Sequence, residues 1–202
     1  MIQNLLEEGG FKPPFFISYL ITDPEIYGNT PQKLEQSLTE IFEKQNIDIV
    51  CFRDKISPNY EQLAIKFLEI ARKFKINKVL INSNVEICNK YKFDGIHFNS
   101  QQFSLLKEKK YADLYTIISC HTEKEIQLAK FYSANAVTYS PIFFKENKGE
   151  PKGIENLKDI VSRYQDKYFL IIALGGIIED KNIKEIIKTG AQGFASIRYF
   201  KV

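Results

Sequence analysis

Short, nearly continuous apolar runs recur along the chain and alternate with segments of helical period. The runs FFISYLIT (15–22), IDIVCFR (47–53), KVLINS (78–83), GIHFN (95–99), YTIISC (115–120), AVTYSP (136–141), YFLIIAL (168–174) and GFASIRYF (193–200) predict strands. Between them, PQKLEQSLTEIFEK (31–44), YEQLAIKFLEIARKF (60–74), EKEIQLAKFY (123–132) and NIKEIIKTG (182–190) carry apolar residues at helical spacing. In the last of these, Ile183, Ile186 and Ile187 share a face and Gly190 is placed to close the helix. Strands apolar on both faces, alternating with amphipathic helices, imply a parallel sheet covered by helices.

Eight such strands in 202 residues fit an α/β (β/α)8 TIM barrel formed as a single domain over residues 1–202. No Pro/Gly/Ser-rich linker divides the chain. The eighth predicted strand runs to Phe200 and the sequence ends at Val202, so the expected barrel lacks its last helix. The apolar flank this would leave calls for a cover. The amphipathic start, with Ile2, Leu5 and Leu6, or a partner subunit in a homodimer would supply one.

Composition narrows the function classes. Hydrophobic residues make up 44% and charged residues 26%, the balance of a globular protein with its own core. The net charge of +3 is spread through mixed stretches such as EKEIQLAKF and EDKNIKEIIK, which read as solvated helix faces; no nucleic-acid partner is expected. Cys51, Cys88 and Cys120 form neither a CxxC nor a metal-ligand spacing, so reduced thiols in a cytoplasmic protein are expected. The start MIQNLLEEGG is acidic and does not read as a signal peptide. No apolar run approaches the ~20 residues a membrane helix needs, and no membrane partner is expected.

In such a barrel the chemistry gathers where strands hand over to the following loops. Those positions hold Thr22 and Asp23; Arg53, Asp54 and Lys55; Asn82 and Ser83; Asn99 and Gln101; Ser119 and His121; Tyr139 and Pro141; Gly175 and Gly176; and Ser196, Ile197 and Arg198. Alternation along the fifth strand sets Ser119 and His121 on one side and Cys120 on the other, and the same parity groups Cys51, Arg53 and Lys55. ALGGI (173–177) puts two glycines at the start of a helix, where backbone N–H groups approach an anion closely. With the following SIR and its Arg198 guanidinium, this predicts a phosphate site; a tight strand-to-helix turn is the plainer reading of the glycines. The loop FFKENKGEPKG (143–153) has the length and polarity of a lid over an anion. His97 reads as a hydrogen-bonded core residue. His121, one of two histidines, is suited to proton transfer near neutral pH or to capping the next helix.

Six stretches, in order, resemble the thiamine phosphate synthase/TenI family of (β/α)8 barrels, from YLITD (19–23) to the end of the chain. CFRDK resembles the family's QLR(E/D)K, GIHFN its GVHLG, and ISCHT its SVHT. TYSPIFFKENK resembles (Y/F)GPIFPTxTK, and ALGGI followed by GAQGFASIR resembles AIGGI…GADGVAxx. The family's synthase branch holds magnesium and diphosphate with two aspartates, whose places fall here on Ser83 and Gln102. The two threonines of FPTxT fall on Lys145 and Asn147, and the glutamine of QLREK falls on Cys51.

The resemblance therefore implies the family's other branch, a TenI-type thiazole tautomerase that isomerises a carboxythiazole phosphate without a metal cofactor. His121 would be its general acid/base. Arg53, Lys55, Ser119 and Lys148 would hold the small phosphorylated thiazole substrate, and Gly175, Gly176, Ser196, Ile197 and Arg198 its phosphate. The alternative is thiamine phosphate synthase itself, joining hydroxymethylpyrimidine diphosphate to thiazole phosphate with Mg²⁺. A third reading is a non-catalytic barrel that binds a thiamine precursor.

Overall fold

A computed structural model describes residues 16–108, 113–146 and 149–201. Its strands are β1 (Ile17–Ile21), β2 (Ile49–Phe52), β3 (Lys78–Asn82), β4 (Gly95–Phe98), β5 (Tyr115–Cys120), β6 (Ala136–Tyr139), β7 (Leu170–Leu174) and β8 (Gly193–Ser196). They pair in sequence order, all parallel, and β8 returns to β1 to close the barrel. The helices are α1 (Pro24–Tyr27), α2 (Pro31–Lys44), α3 (Tyr60–Lys73), α4 (Val85–Tyr91), α5 (Glu123–Phe131), α6 (Gly153–Tyr164) and α7 (Asp180–Ile187). Short 3₁₀ turns lie at Phe103–Lys107, in the crossover from β4 to β5, and at Tyr199–Lys201.

The chain dictates these elements locally. α2 begins where Thr30 caps the N–H of Lys33 and Pro31 supplies a preset φ, and it buries Leu34, Leu38, Ile41 and Phe42 against the sheet. α5 begins with a reciprocal capping box between Thr122 and Glu125. Side-chain alternation along the strands then makes two cores. Tyr19, Ile21, Ile49, Cys51, Leu80, Ile117, Ala136, Ile172 and Ala195 fill the barrel interior. Neighbours of opposite parity, such as Leu20, Val50, Ile81, Phe98, Cys120 and Phe194, face the helices.

The end of β8 differs from the expectation. The strand stops at Ser196, because the Ser196 hydroxyl accepts the N–H groups of Arg198 (3.2 Å) and Tyr199 (3.1 Å) and bends the chain into the 3₁₀ turn. Tyr199 and Phe200, expected in the strand, instead fold back onto Phe194 at ring separations of 5.3 and 5.6 Å. Gln45 donates to the Phe200 carbonyl and Lys201 to Ser37 Oγ, tying the turn to α2. The chain thus covers apolar surface at this flank with its own Tyr199 and Phe200. Ile2, Leu5 and Leu6 lie outside the described residues. Among the described residues no helix is long and apolar enough to cross a membrane.

Candidate active site

The mouth of the barrel at the carboxyl ends of the strands opens into a cavity of about 900 Å³ whose lining includes Arg53, Lys55, His97, Ser119 and His121. It runs into a second cavity of about 520 Å³ over the ends of β7 and β8, lined by Gly175, Gly176, Ser196, Ile197 and Arg198. Lys145, Leu174, Gly175 and Ile197 belong to both. The candidate base and the candidate anion site therefore open onto one continuous space. Lys148 lies outside the described residues.

His121 is held from two directions. Its backbone N–H donates to Glu125 Oε2 at 2.6 Å, so the α5 capping box fixes the chain at this residue. Its Nδ1 lies 3.1 Å from the carbonyl oxygen of Ser140 and 3.2 Å from Ser140 Oγ. A carbonyl oxygen can only accept, so Nδ1 carries the proton and neutral His121 keeps a basic Nε2. Ser140, the residue that sets this tautomer, was not among the sequence candidates. It acts through a backbone atom, which a side-chain inventory does not register.

The glycines at the end of β7 have two reasons to be glycine. Gly175 and Gly176 have φ of 97° and 72°, in the left-handed region. A Cβ on Gly175 would lie 2.8 Å from Pro141 Cα, and one on Gly176 would lie 2.6 Å from the Phe144 carbonyl oxygen. The loop after β6 is drawn onto them, with Ile142 donating to Leu174 and Phe143 to Gly175, both at 3.0 Å. Its far root is pinned as Lys152 and Gly153 donate back to Pro141 and Ile142. The tight-turn reading of the glycines thus holds. Among the described residues, the N–H groups of Gly176, Ile177 and Ile197 have no protein acceptor and sit on the second cavity. Arg198 is exposed at its edge. Ser196 is occupied elsewhere. Its hydroxyl donates to the Ile177 carbonyl at 2.8 Å and holds the β8 turn, so it shapes the site and is not a free donor to it.

On the other side of the mouth, Arg53 is anchored by Asp23, with Nη1 2.8 Å from Oδ2 and both side chains about a quarter exposed. Lys55 is exposed and extends along the cavity wall. Tyr139, counted among the strand-end candidates, is not at the mouth. It faces the helices, where its hydroxyl donates to Asn156 at 2.7 Å, while its neighbours Thr138 and Ser140 face inward. Gln101 is exposed and does not line the cavity; its backbone N–H closes a turn onto Asn99 Oδ1.

His97 is a buried, hydrogen-bonded histidine, as its strand context suggested, with its ring also bordering the cavity. Its Nδ1 is 2.8 Å from the Tyr19 hydroxyl and its Nε2 3.0 Å from Ser119 Oγ. Burial, with help from the nearby Arg53 charge, pushes its pKa down to about 3, so it is neutral at physiological pH. Burial likewise pushes the Cys51 thiol up to about 12 and Cys88 to about 11, which leaves both as inert core groups.

The positions where the resemblance would put metal carboxylates hold a closed amide and hydroxyl network. Asn99 Nδ2 donates to Ser83 Oγ (3.2 Å), Gln102 Nε2 donates to the Ser83 carbonyl (3.3 Å), and Gln102 Oε1 accepts from the Asn99 N–H (3.0 Å). Asn82 Nδ2 donates to the His97 carbonyl at 3.0 Å. Mg²⁺ favours hard carboxylate oxygens. Neutral oxygens already engaged with one another do not fit it. Among the described residues no group of three or more His, Cys, Asp or Glu side chains converges as a metal site.

Comparison with known proteins gives a consistent picture. A family model described as thiamine monophosphate synthase (TMP-TENI) matches residues 18–200. A thiamine-phosphate synthase of Caldicellulosiruptor bescii is 24% identical over 187 residues, covering 85% of this chain and 82% of that protein. Its counterpart in Clostridium acetobutylicum is 26% identical over 185 residues, with 89% and 84% covered. The solved thiamine phosphate pyrophosphorylase of Pyrococcus furiosus superposes with a TM-score of 0.75 at 22% identity, over 90% of this chain and 85% of that one.

Proposed function

The chain belongs to the thiamine monophosphate synthase (TMP-TENI) family of thiamine-biosynthesis enzymes, and from that membership we propose that it is a TenI-type thiazole tautomerase. The carrying observation is the pairing of His121 Nδ1 with the Ser140 carbonyl, which presents a basic nitrogen on a mouth whose metal-ligand positions hold Ser83 and Gln102. In this reading the phosphate of a carboxythiazole phosphate sits over β7 and β8 on the N–H groups of Gly176, Ile177 and Ile197, with Arg198 at its rim. The ring then extends toward the barrel axis. His121 Nε2 takes a proton from the ring carbon, the electron pair moves into the ring system, and the imidazolium returns a proton at the other end of the shifted double bond. Atoms and charge balance without a co-reactant. Arg53 and Lys55 face the substrate carboxylate across the cavity, and Ser119 contributes a hydroxyl.

The second reading is thiamine phosphate synthase, which the names of the curated relatives favour. It requires magnesium to be held without the two aspartates. Replacing His121 by Asn separates the readings. A positioned general acid/base contributes ~10²–10⁴-fold, so His121→Asn is expected to lower tautomerase kcat by about that factor while phosphate affinity stays near wild type. Wild-type turnover in His121→Asn would reduce His121 to a residue that ends β5 and would remove the main support for the tautomerase.

A further inference from the structure

Through the mainly apolar barrel interior one hydrogen-bonded chain climbs from its centre to the cavity. It runs from Tyr19 to His97 (2.8 Å) to Ser119 (3.0 Å), with Thr138 Oγ1 beside the last link at 3.4 Å from His97 Nε2 and 3.5 Å from Ser119 Oγ. Tyr19 and Thr138 are 0% exposed; His97, 3% exposed, and the half-buried Ser119 both line the cavity. Such a chain has a direction, because a neutral imidazole donates from one nitrogen and accepts at the other.

We infer that Tyr19 and His97 are positioning residues that fix the direction of this chain, so that Ser119 offers its O–H to the bound ligand as a donor. The argument starts at the enclosed end. The phenolic hydrogen of Tyr19 has two neighbours able to accept it: His97 Nδ1 at 2.8 Å and the Cys51 thiol. An imidazole nitrogen is a good acceptor and a thiol sulfur a weak one, so the phenol donates to Nδ1. The His97 proton is then on Nε2, and Nε2–H donates to Ser119 Oγ. With one of its lone pairs taken, the Ser119 hydroxyl directs its own hydrogen away from His97, and the open side is the cavity. The reverse direction would turn the Ser119 hydrogen inward and show the ligand only lone pairs.

His121 and Ser119, two residues apart at the end of β5 and both on the cavity, thus differ in role. His121 presents a basic nitrogen and Ser119 a fixed donor. Its ligand would be a group with an acceptor, such as a ring nitrogen, sulfur-ring carbonyl or carboxylate oxygen of a heteroaromatic substrate. The identity of that ligand rests on the tautomerase reading; the direction of the chain does not.

The test uses ¹⁵N-histidine NMR of the whole protein, with kinetics on the carboxythiazole phosphate alongside. Wild type is expected to show His97 protonated at Nε2 and bare at Nδ1, with Tyr19→Phe moving it toward the opposite tautomer. Losing a neutral hydrogen bond to the ligand costs about 1 kcal/mol, so Tyr19→Phe is expected to raise KM roughly fivefold with kcat little changed. His97→Gln, whose amide keeps an acceptor toward Tyr19 and a donor toward Ser119, should keep KM within about twofold of wild type. His97→Leu should match Ser119→Ala. A wild-type His97 protonated at Nδ1, or a Tyr19→Phe protein unchanged in both tautomer and KM, overturns the inference. If Tyr19→Phe does not fold, the wild-type tautomer and the contrast between His97→Gln and His97→Leu decide it. Absence of tautomerase turnover in wild type with His97 protonated at Nε2 would sink the tautomerase reading and leave the chain's direction supported.

Discussion

The two ends of the barrel mouth are built from opposite materials. Over β7 and β8, the site is backbone: glycines at positive φ, N–H groups without a protein acceptor, and a loop drawn against them. Over β3 and β4, it is side chains that have already found each other, with Ser83, Asn99 and Gln102 closed into a network. Among the described residues the first end leaves backbone donors open to the cavity, and the second spends its polar groups on one another. The difference teaches why the proposed function puts the substrate phosphate over β7 and β8. Unsatisfied backbone donors carry no side-chain ordering cost when an anion arrives, whereas a satisfied polar network must be broken before it can ligate anything.

The largest effect should come from filling the backbone end. In Gly176→Ala the new Cβ meets the Phe144 carbonyl oxygen at 2.6 Å and Phe143 at 2.7 Å, on a φ that L residues disfavour. Neither neighbour is the far end of a flexible side chain. A strain of about 1–3 kcal/mol should lower Tm by roughly 2–4 °C per kcal/mol and weaken inorganic phosphate binding, read by calorimetry, by tenfold or more. Arg198→Ala, which leaves the backbone donors in place, should weaken it less. Equal losses in the two variants would contradict the claim that backbone groups dominate this end.

The converse experiment rebuilds the other end. Restoring carboxylates with Ser83→Asp and Gln102→Asp together replaces neutral oxygens by two anionic ones. Mg²⁺ affinity, measured by calorimetry, should rise by an order of magnitude or more over wild type, with a smaller loss of thermal stability from the broken network. An unchanged Mg²⁺ titration would show that these positions do not converge on one ion.

The smallest effect tests the enclosed histidine between the ends. His97 has a folded pKa near 3 against an ordinary value of 6.5. Between those values the unfolded chain binds a proton that the folded chain does not, so unfolding free energy rises with pH there. Stability linked to His97 is complete above about pH 6.5 and is lost as pH falls toward 3, by up to one proton's slope. In denaturant titrations across that window, His97→Gln should be flatter than wild type. Parallel curves would mean that His97 is protonated more easily than its surroundings imply.

Much of this was legible in the sequence, and the gaps have physical causes. Strand positions and α2, α3, α5 and α7 followed from periodicity because each buries an apolar stripe. α6 went unseen because it opens at Lys152, which makes no side-chain capping bond, behind a stretch that reads as loop. Tyr199 and Phe200 read as strand because aromatic residues favour strands; what stops β8 at Ser196 is one serine hydroxyl capturing two N–H groups. His121, Gly175, Gly176 and Arg53 line the cavities at the barrel mouth, where position at strand ends puts them. Tyr139 was misplaced because position along a strand does not say which side a residue faces until the inward residues Thr138 and Ser140 are fixed. Ser140 and Tyr19 were missed because one acts through its carbonyl and the other from the middle of a strand.

The central claim is that this mouth turns over a thiazole phosphate without a metal. Its most direct test is one measurement on the purified wild-type protein. Tautomerisation of carboxythiazole phosphate is followed with a chelator and with added Mg²⁺, while thiamine phosphate formation from hydroxymethylpyrimidine diphosphate is followed in parallel. The account predicts tautomerase turnover that is the same with chelator and with Mg²⁺, and little or no thiamine phosphate in either case. Robust Mg²⁺-dependent thiamine phosphate formation, abolished by the chelator, would contradict it and make the chain a synthase.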